Sequence, residues 1–297
     1  MTLEVTPFAS LSPEQLESVR RSADAATRTD EVAPLSEAFL LALPREGDHL
    51  LATDEGKVLG YAQVAADGSA EAFVDPAARA KGVGTALLDT VLARHPGARP
   101  WAHGDLPAAR ALATGLGLDV ARELLVLARS VAPGDEEDPA LPAGVTQRRF
   151  EPGRDEDALL AVNAAAFADH PEQGDLDTAG LAERMAQPWF DADGLILLEA
   201  ADRDGLAGFH WTKIDPPDGD VGEVYVVGVH PDLHGRGLGG PLTRLGLAHL
   251  TRRGVREVEL YVEGDNHPAL ATYRRAGFER KAVHVMYSRP VHGSVER

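Results

Sequence analysis

The sequence predicts an α/β (α+β) protein built from two tandem domains, each with the same order of strands and helices. Residues 73–87 recur as residues 228–242 at a spacing of 155, and residues 101–118 recur as residues 261–278 at a spacing of 160. Two matches in the same order and nearly in register indicate a duplicated domain rather than a chance similarity.

A segment between the two copies has the composition of a linker. Residues 132–144 contain three prolines, two glycines and four acidic residues, so they carry no periodic apolar face. A long loop inside a single domain is the alternative, but the repeat lies on both sides of the segment. We therefore predict domains at residues 1–132 and 145–297, joined by a linker at residues 133–144.

The two halves repeat one order of secondary structure. In the first half Ser12 can cap a helix, with Pro13 at its first position and Gln15 reaching back to the cap. Runs of β-branched and aromatic residues, separated by Asp-Gly turns, predict the strands. Each half begins with a strand (3–5; 145–150) and one or two helices. Three strands follow, at 50–53, 58–65 and 70–74 in the first half and at 195–201, 206–214 and 222–229 in the second. Each half then has a helix (85–94; 241–253), a strand, a shorter helix and a final strand.

Composition excludes several classes of protein. The chain of 297 residues has a net charge of −18, which argues against binding to nucleic acid or to anionic membranes, and it contains no cysteine. No apolar run approaches the roughly 20 residues of a membrane span, and the acidic start does not resemble a signal peptide. His230 and His234 are four residues apart, but Pro231 and the glycine loop deny them a shared helix face. We expect a cytoplasmic protein without a metal.

Two glycine loops give the clearest functional signal, because each joins a predicted strand to a predicted helix. Glycine lets the backbone turn tightly and approach a ligand, and the unpaired N–H groups that open the next helix favour a phosphate. A plain strand–helix turn is the alternative for either loop alone, whereas two equivalent loops with basic residues favour phosphate binding. The loops read Arg79-x-x-Gly82-x-Gly84 and His234-x-Arg236-Gly237-x-Gly239, and Arg79, Lys81 and Arg236 add positive charge.

The loops lack the three glycines of a dinucleotide fingerprint and the Gly-Lys-Ser/Thr of a P-loop. They resemble the R/Q-x-x-G-x-G/A signature of the GCN5-related N-acetyltransferases, although His234 replaces the usual Gln or Arg. Residues 227–231 and the later run Asp265-Asn266-x-x-Ala269-x-x-x-Tyr273-x-x-x-Gly277-Phe278 complete that pattern.

The resemblance implies that each domain has a mixed, mostly antiparallel sheet flanked by helices. It also implies that acetyl-CoA is the co-substrate, with its pyrophosphate in the glycine loop and its pantetheine arm on a splayed strand. The implied coenzyme contacts are Val227, Gly228, Val229, His234, Gly235, Arg236, Gly237, Leu238, Gly239, Gly240, Asn266, His267, Pro268, Ala269, Leu270 and Ala271 in the second copy, and Phe73, Val74, Arg79, Ala80, Lys81, Gly82, Val83 and Gly84 in the first.

Acetyl transfer to an amine needs a base for the ammonium and an acid for the leaving thiolate. The second copy offers Glu223 at the start of the splayed strand and Tyr273 on the short helix. At the repeat spacings the first copy has Gly68 and Ala113 instead. We therefore predict that only the C-terminal domain is catalytic, while the N-terminal domain binds a CoA-like ligand or supports the fold. A solvated strand-end role for Glu223 is the alternative.

Further polar clusters are candidates for the acceptor pocket, notably residues 170–174 and 208–213. By default His210 and Trp211 are core residues and Lys213 is a solvated strand end. Within the family, these clusters are similar to those of enzymes that acetylate the cysteinyl amine of a cysteine–glucosamine–inositol conjugate. That similarity implies a small-molecule amine acceptor, contacted by Glu37, Glu172, Lys213, Glu223 and Tyr261.

Two other functions remain open at this point. One is a tandem acetyltransferase that acts on another small-molecule or peptide amine and shares every catalytic feature. The other is a non-enzymatic acyl-CoA sensor, which would keep both glycine loops without needing Glu223 or Tyr273. We expect a monomer in each case.

Overall fold

The computed structural model describes residues 2–168, 173–174 and 176–290, and these residues form two compact units. The first unit comprises residues up to 124 together with those from 282 onward, and the second comprises residues 125–281. None of the helices in the described ranges is long and apolar enough to cross a membrane. In chain order the elements are β1 (Glu4–Phe8), α1 (Pro13–Asp30), α2 (Glu37–Ala42), β2 (Asp48–Asp54), β3 (Lys57–Val64), β4 (Ser69–Val74), α3 (Val83–Arg94), β5 (Arg99–Ala102), α4 (Pro107–Gly115), β6 (Asp119–Ser130), β7 (Val145–Arg149), α5 (Glu156–Ala166), α6 (Thr178–Met185), β8 (Leu195–Ala200), β9 (Leu206–Lys213), β10 (Val221–Val229), α7 (Gly239–Arg252), β11 (Glu257–Glu263), α8 (His267–Arg275) and β12 (Glu279–Ser288).

In the first unit the strand order is β1-β2-β3-β4-β5-β12. The pairs β1–β2, β2–β3, β3–β4 and β5–β12 are antiparallel, and β4–β5 is parallel. Because successive residues of a strand face opposite sides, Leu50 and Leu51 of β2 belong to different cores. Leu51 packs with α1 and α2, and Leu50 packs with α3 and α4. Helices therefore cover both faces of this sheet.

The second unit repeats this arrangement with the strand order β6-β11-β10-β9-β8-β7. The pairs β7–β8, β8–β9 and β9–β10 are antiparallel, and β10–β11 is parallel. Leu197 of β8 packs with α5 and α6, whereas its neighbour Leu198 packs with α7. Leu260 of β11 joins α7 and α8 in a further cluster. The predicted mixed, mostly antiparallel sheet flanked by helices is confirmed in both units.

The local signals in the sequence have the expected geometry. The Ser12 side chain accepts a hydrogen bond from the Gln15 backbone at 3.2 Å, and the Gln15 side chain accepts one from the Ser12 backbone at 2.8 Å. The helices after the glycine loops begin two residues earlier than predicted, at Val83 and Gly239, since Gly82 and Leu238 occupy the capping positions.

The compact units do not divide at the predicted linker. Residues 125–130 of β6 belong to the second unit and residues 282–288 of β12 belong to the first. Residues 133–144 lie within the second unit, where Asp135 pairs with Arg129 at 2.6 Å and Asp138 pairs with Arg252 at 3.0 Å. The sequence repeat indicates which segments of the chain were duplicated, whereas strand pairing determines which residues pack together. The boundaries 1–132, 133–144 and 145–297 remain a prediction about the copied segments.

Candidate functional site

Each glycine loop turns the chain sharply between a strand and a helix. In the first loop Ala80 and Gly82 have φ of +59° and +82°, and in the second Gly235 and Gly237 have φ of +79° and +76°. A Cβ atom placed on Gly235, Gly237 or Gly239 would meet no atom within 4 Å. The backbone of the second loop therefore faces open space, as a phosphate-binding loop requires.

The first residue of each loop motif is tied back to the end of the preceding strand. The Arg79 Nε–H donates to the Val74 carbonyl at 3.3 Å, and the His234 Nε2–H donates to the Val229 carbonyl at 3.1 Å. The two hydrogen bonds occupy equivalent positions in the repeat. His234 thus performs the loop-shaping task of Arg79 although the two side chains differ.

The basic side chains of the loops have partners within their own units. Arg79 donates two hydrogen bonds to Asp30, both at 2.7 Å, and Arg236 pairs with Asp202 at 2.7 Å. Lys81 Nζ donates to the Ala77 carbonyl at 2.9 Å. The carboxylates offset much of the positive charge that the sequence suggests, so backbone N–H groups and the helix dipole remain the principal attraction for an anion.

The splayed strands predicted beside the loops are present in both units. Parallel pairing of β4 with β5 joins residues 69–71 to 99–101, whereas β4 continues to Val74. Pairing of β10 with β11 joins residues 221–224 to 257–260, whereas β10 continues to Val229. The strands separate where Phe73–Val74 and Val227–Val229 lie, which is the place predicted for a pantetheine arm.

A cavity of about 700 Å³ lies beside the first loop. Its volume is within the range of small-molecule sites, and Ala113 of α4 forms part of its wall. The structure brings nearly all the predicted first-copy contacts to this cavity: Phe73, Val74, Arg79, Ala80, Gly82, Val83 and Gly84 line it, while Lys81 does not.

A buried polar network that the sequence did not suggest stands at one wall of this cavity. Glu71 is 2% exposed, accepts the Ser36 backbone N–H at 2.7 Å and pairs with His103 at 3.1 Å. His103 in turn contacts His284 of β12 through their Nδ1 atoms at 3.0 Å. These residues are far apart in sequence, so only the folded chain reveals them.

Tyr273 of α8 is the buried phenol of the second unit. It is 7% exposed, lies against Phe278 with ring centroids 5.9 Å apart, and shares a core cluster with Val224 and Val227 of β10. Burial raises the pKa of Tyr273 to about 12. The phenol is therefore protonated at neutral pH and can donate a proton. Ala113 occupies the matching position of the first unit.

Glu223 lies in β10 among other charged groups of the predicted acceptor site. It is the cross-strand partner of Lys213 in β9 and is paired in register with Glu259 in β11. Desolvation, together with the negative charges of Glu223 and Glu259, raises the pKa of Tyr261. Lys213 and Glu223 thus lie opposite each other across the sheet, and Tyr261, which is 44% exposed, lies on the neighbouring strand. Their contact with an acceptor stays a prediction.

A β-bulge corrects the residue matched to Glu223. Val224 pairs with Thr212 and Val226 pairs with Trp211, so Tyr225 is an extra residue in β10. The first unit has no corresponding register shift between β3 and β4. Sheet register therefore matches Glu223 to Ser69 rather than to Gly68. The first unit still has no carboxylate at this point.

The remaining predicted contacts are placed as follows. Leu238 and Leu270 are buried in apolar clusters, so only their backbones can face a ligand. Asn266 caps α8 by accepting the Ala269 N–H at 3.2 Å. Glu37 is the first residue of α2 in the first unit, apart from the other acceptor residues in sequence, and Glu172 lies outside the described residues.

The strand segment 208–213 is more closely packed than its sequence suggests. His210 and Trp211 are buried, as predicted for core residues. Lys213 is not a solvated strand end, because its side chain is only 10% exposed. Sequence reasoning missed its aromatic neighbours Trp189 and Tyr225; a bulge, which leaves no pattern in the sequence, sets the position of Tyr225.

Across the described part of the chain, no group of three or more His, Asp or Glu side chains could hold a metal ion.

Two sequence profiles of one protein family match this chain. A sequence profile of the Acetyltransferase (GNAT) family matches residues 161–278, and a profile of the GNAT domain matches residues 45–114. The chain is 47% identical to a mycothiol acetyltransferase of Kytococcus sedentarius, over 95% of this chain and 96% of that protein. It is 50% identical to a mycothiol acetyltransferase of Thermomonospora curvata, over 94% of this chain and 95% of that protein.

Solved structures show the same fold at lower identity. A GCN5-related N-acetyltransferase from Sphaerobacter thermophilus has a TM-score of 0.70 at 23% identity, covering 95% of this chain and 94% of that one. A tandem GNAT protein from the clavulanic acid biosynthesis pathway has a TM-score of 0.71 at 20% identity, covering 96% and 97%. Both likenesses include residues of each unit.

Proposed function

Because the chain belongs to the Acetyltransferase (GNAT) family, we propose that it transfers acetyl from acetyl-CoA to the cysteinyl amine of a cysteine–glucosamine–inositol conjugate, giving mycothiol. One observation carries the proposal. The second unit combines an open glycine loop with a buried phenol, Tyr273, and a carboxylate, Glu223, on the strand that leads to the loop.

The proposed chemistry assigns one proton transfer to each side chain. Glu223 accepts a proton from the ammonium of the acceptor, directly or through a water, so that the nitrogen lone pair can attack the thioester carbonyl. The C–N bond forms as the C–S bond breaks, and Tyr273 donates its phenolic proton to the departing sulfur. The acylated nitrogen loses its second proton, which restores the phenol of Tyr273. Burial keeps Tyr273 in the protonated form from which this donation starts.

Acceptor binding is assigned to Glu37, Glu172, Lys213, Glu223 and Tyr261. Carboxylates favour the cationic amine, and a lysine and a tyrosine can hydrogen-bond the hydroxyl groups of a sugar and a cyclitol. The cross-strand pairing of Lys213 with Glu223 supports this assignment for the second unit.

Both glycine loops are proposed to hold a CoA. Contacts in the second unit come from residues 227–229, 234–240 and 266–271, and a second CoA lies in the cavity beside residues 79–84. The N-terminal copy is proposed to be non-catalytic, since Ser69 and Ala113 stand where the other copy has Glu223 and Tyr273. A monomer acting in the cytoplasm completes the proposal.

An acceptor survey tests the function. CoA formation is followed chromatographically, because the conjugate carries its own thiol, with the cysteinyl conjugate, the cysteine-free glucosamine–inositol, an aminoglycoside and a peptide amine as acceptors. We expect efficient turnover with the cysteinyl conjugate alone, and none with mycothiol, whose amine is already acetylated. Turnover confined to another amine would overturn the substrate assignment.

Calorimetry tests the two coenzyme sites. We expect two CoA molecules per chain, one of which is lost in the Gly237→Val variant together with turnover. Gly82→Val should remove the other while turnover continues, because both glycines have a positive φ that valine tolerates poorly. A single site that disappears with Gly237→Val would show that the first loop binds no CoA. Light scattering of the same sample tests the monomer.

A further inference from the structure

In the second unit the ammonium of Lys213 is enclosed by two aromatic rings. Its Nζ lies 5.0 Å from the centroid of the Trp189 ring and 5.3 Å from that of Tyr225. Both distances are within the reach of a cation–π interaction, and the side chain is only 10% exposed. Partial desolvation strengthens such an attraction. We call Trp189 and Tyr225 the aromatic clamp.

The β-bulge gives Tyr225 its place in the clamp. Tyr225 is the extra residue of the bulge, since its neighbours Val224 and Val226 pair in register with consecutive residues of β9. A bulge increases the local twist and re-aims a side chain, and bulges are frequent next to active sites. Tyr225 is thereby directed to the lysine that faces Glu223 across the sheet.

Both rings are supported from behind. Trp211, which is 1% exposed, contacts Tyr225 edge-on at 5.4 Å and Trp189 at 6.0 Å. Arg184 Nε donates to the Tyr225 hydroxyl at 3.0 Å, and Arg184 Nη1 donates to the Gly180 carbonyl at 3.0 Å within α6. The clamp is therefore fixed by packing and hydrogen bonds, so the lysine stem has little freedom.

The first unit has no such device. There β3 and β4 pair without a bulge, and Ala65, whose backbone N–H donates to the Ser69 carbonyl at 2.8 Å at the matching point, replaces the lysine. The clamp thus occurs in the copy that also carries Glu223 and Tyr273.

We propose that Trp189 and Tyr225 are positioning residues that fix the Lys213 ammonium opposite Glu223 and so set selectivity for a polyhydroxylated amine acceptor. The inference rests on the proposed function, in which Lys213 contacts the acceptor. The two rings hold Nζ by cation–π attraction and Asp215 Oδ2 lies 3.8 Å from it, so its N–H donors are held in a defined position for sugar or cyclitol oxygens. Lys213 then recognises hydroxyl groups while Glu223 receives the ammonium.

Steady-state kinetics separate positioning from a general loss of structure. We expect Tyr225→Leu and Trp189→Leu to raise the acceptor KM about tenfold, with kcat and the KM for acetyl-CoA within twofold of wild type. The matched controls Tyr225→Phe and Trp189→Phe keep a ring and should stay within threefold. In a Lys213→Met background Tyr225→Leu should add less than twofold. Equal increases in both KM values, or a full additional tenfold in that background, would overturn the proposal.

A spectroscopic test needs no acceptor. The chain contains only four lysines, at positions 57, 81, 213 and 281, so reductive methylation with ¹³C-formaldehyde gives a simple spectrum. Ring currents should shift the Lys213 signal, identified by its loss in Lys213→Arg, away from the other three. Tyr225→Leu should return it towards them, and Tyr225→Phe should not. An unshifted Lys213 signal in wild type would contradict the clamp. If the acceptor survey fails while this shift is present, the substrate assignment is wrong but the clamp is not.

Discussion

The two glycine loops share a backbone but differ in the side chains around them. Both turn through two residues of positive φ, and both tie their first side chain to the last carbonyl of the preceding strand. The chemistry differs, because Tyr273 and Glu223 of the second unit are matched by Ala113 and Ser69. In the proposed function, coenzyme binding by the loop backbone survives changes of side chain, whereas proton transfer is lost with a single residue.

The cores behind the two loops differ in whether the strand or the helix carries the larger side chain, a difference that we call the reversal of size. In the second unit the His210 ring lies against Gly246 of α7, where a Cβ atom would come within 1.9 Å of the ring. In the first unit Ala62 and Val91 occupy the equivalent positions and belong to one apolar cluster. A large strand residue with a small helix residue has replaced the opposite combination, so each unit keeps a filled core.

The variant with the largest expected effect tests whether only the second unit is catalytic. Tyr273→Phe keeps the ring against Phe278 but removes the proton donor, so kcat should fall roughly a thousandfold with CoA affinity unchanged. The matched control is Tyr61→Phe, which removes a buried phenol of the first unit and should leave kcat unaltered. Calorimetry and CoA release measure the two quantities. An unchanged kcat in Tyr273→Phe would show that Tyr273 is not the proton donor, whereas absence of turnover by wild type with every amine would favour the acyl-CoA sensor.

A second experiment tests the reversal of size. Gly246→Val should lower the free energy of unfolding by about 3 kcal/mol, because the added methyl groups overlap the His210 ring. Combining it with His210→Ala recreates the pair of the first unit and should restore most of the loss. Urea denaturation of both variants and wild type gives the coupling. Additive losses would show that the two sites are not interchangeable solutions.

The pH dependence of the free energy of unfolding provides a second test of the core around His210. Burial lowers the pKa of His210 from its ordinary 6.5 to about 4, so the unfolded chain binds a proton that the folded chain does not. The resulting stability is complete above pH 6.5 and is lost as the pH falls towards 4, with about 2 kcal/mol lost by pH 4.5.

Denaturation of wild type at pH 7 and pH 4.5 measures this loss. The His210→Ala/Gly246→Val variant should lose about 2 kcal/mol less over the same interval. Its remaining acid sensitivity comes in part from His284 of the first unit, whose pKa burial also lowers to about 4. Identical pH dependence in the two proteins would contradict a neutral, buried His210.

The smallest expected effect concerns the loops themselves. Ala80 adopts a φ of +59° where the second copy has Gly235 at +79°. Ala80→Gly should raise the free energy of unfolding by up to about 1 kcal/mol, and Gly235→Ala should lower it by about 1 kcal/mol through backbone strain alone, since the added Cβ meets open space. Thermal unfolding checks both signs, and a stabilising Gly235→Ala would be inconsistent with the loop geometry.

Local and repeated features were predictable from the sequence. The Ser12 cap, the strands beside the Asp-Gly turns and both glycine loops depend on neighbouring residues, so their patterns are legible. Three other features depend on long-range pairing and leave no local signal in the sequence. They are the division of β6 and β12 between the two units, the bulge at Tyr225 and the Glu71–His103 pair. Fixed repeat spacing therefore selected Gly68, whereas one inserted residue makes Ser69 the equivalent position.

A crystal structure with acetyl-CoA bound tests the central claim most directly, namely that a single unit both binds the coenzyme and supplies the groups that transfer protons. The account predicts the thioester sulfur of the second unit within hydrogen-bond reach of the Tyr273 hydroxyl, with the Glu223 carboxylate on the side of the thioester from which the amine attacks. In the first unit the sulfur should have no such neighbours. A second-unit sulfur remote from both Tyr273 and Glu223 would contradict the account.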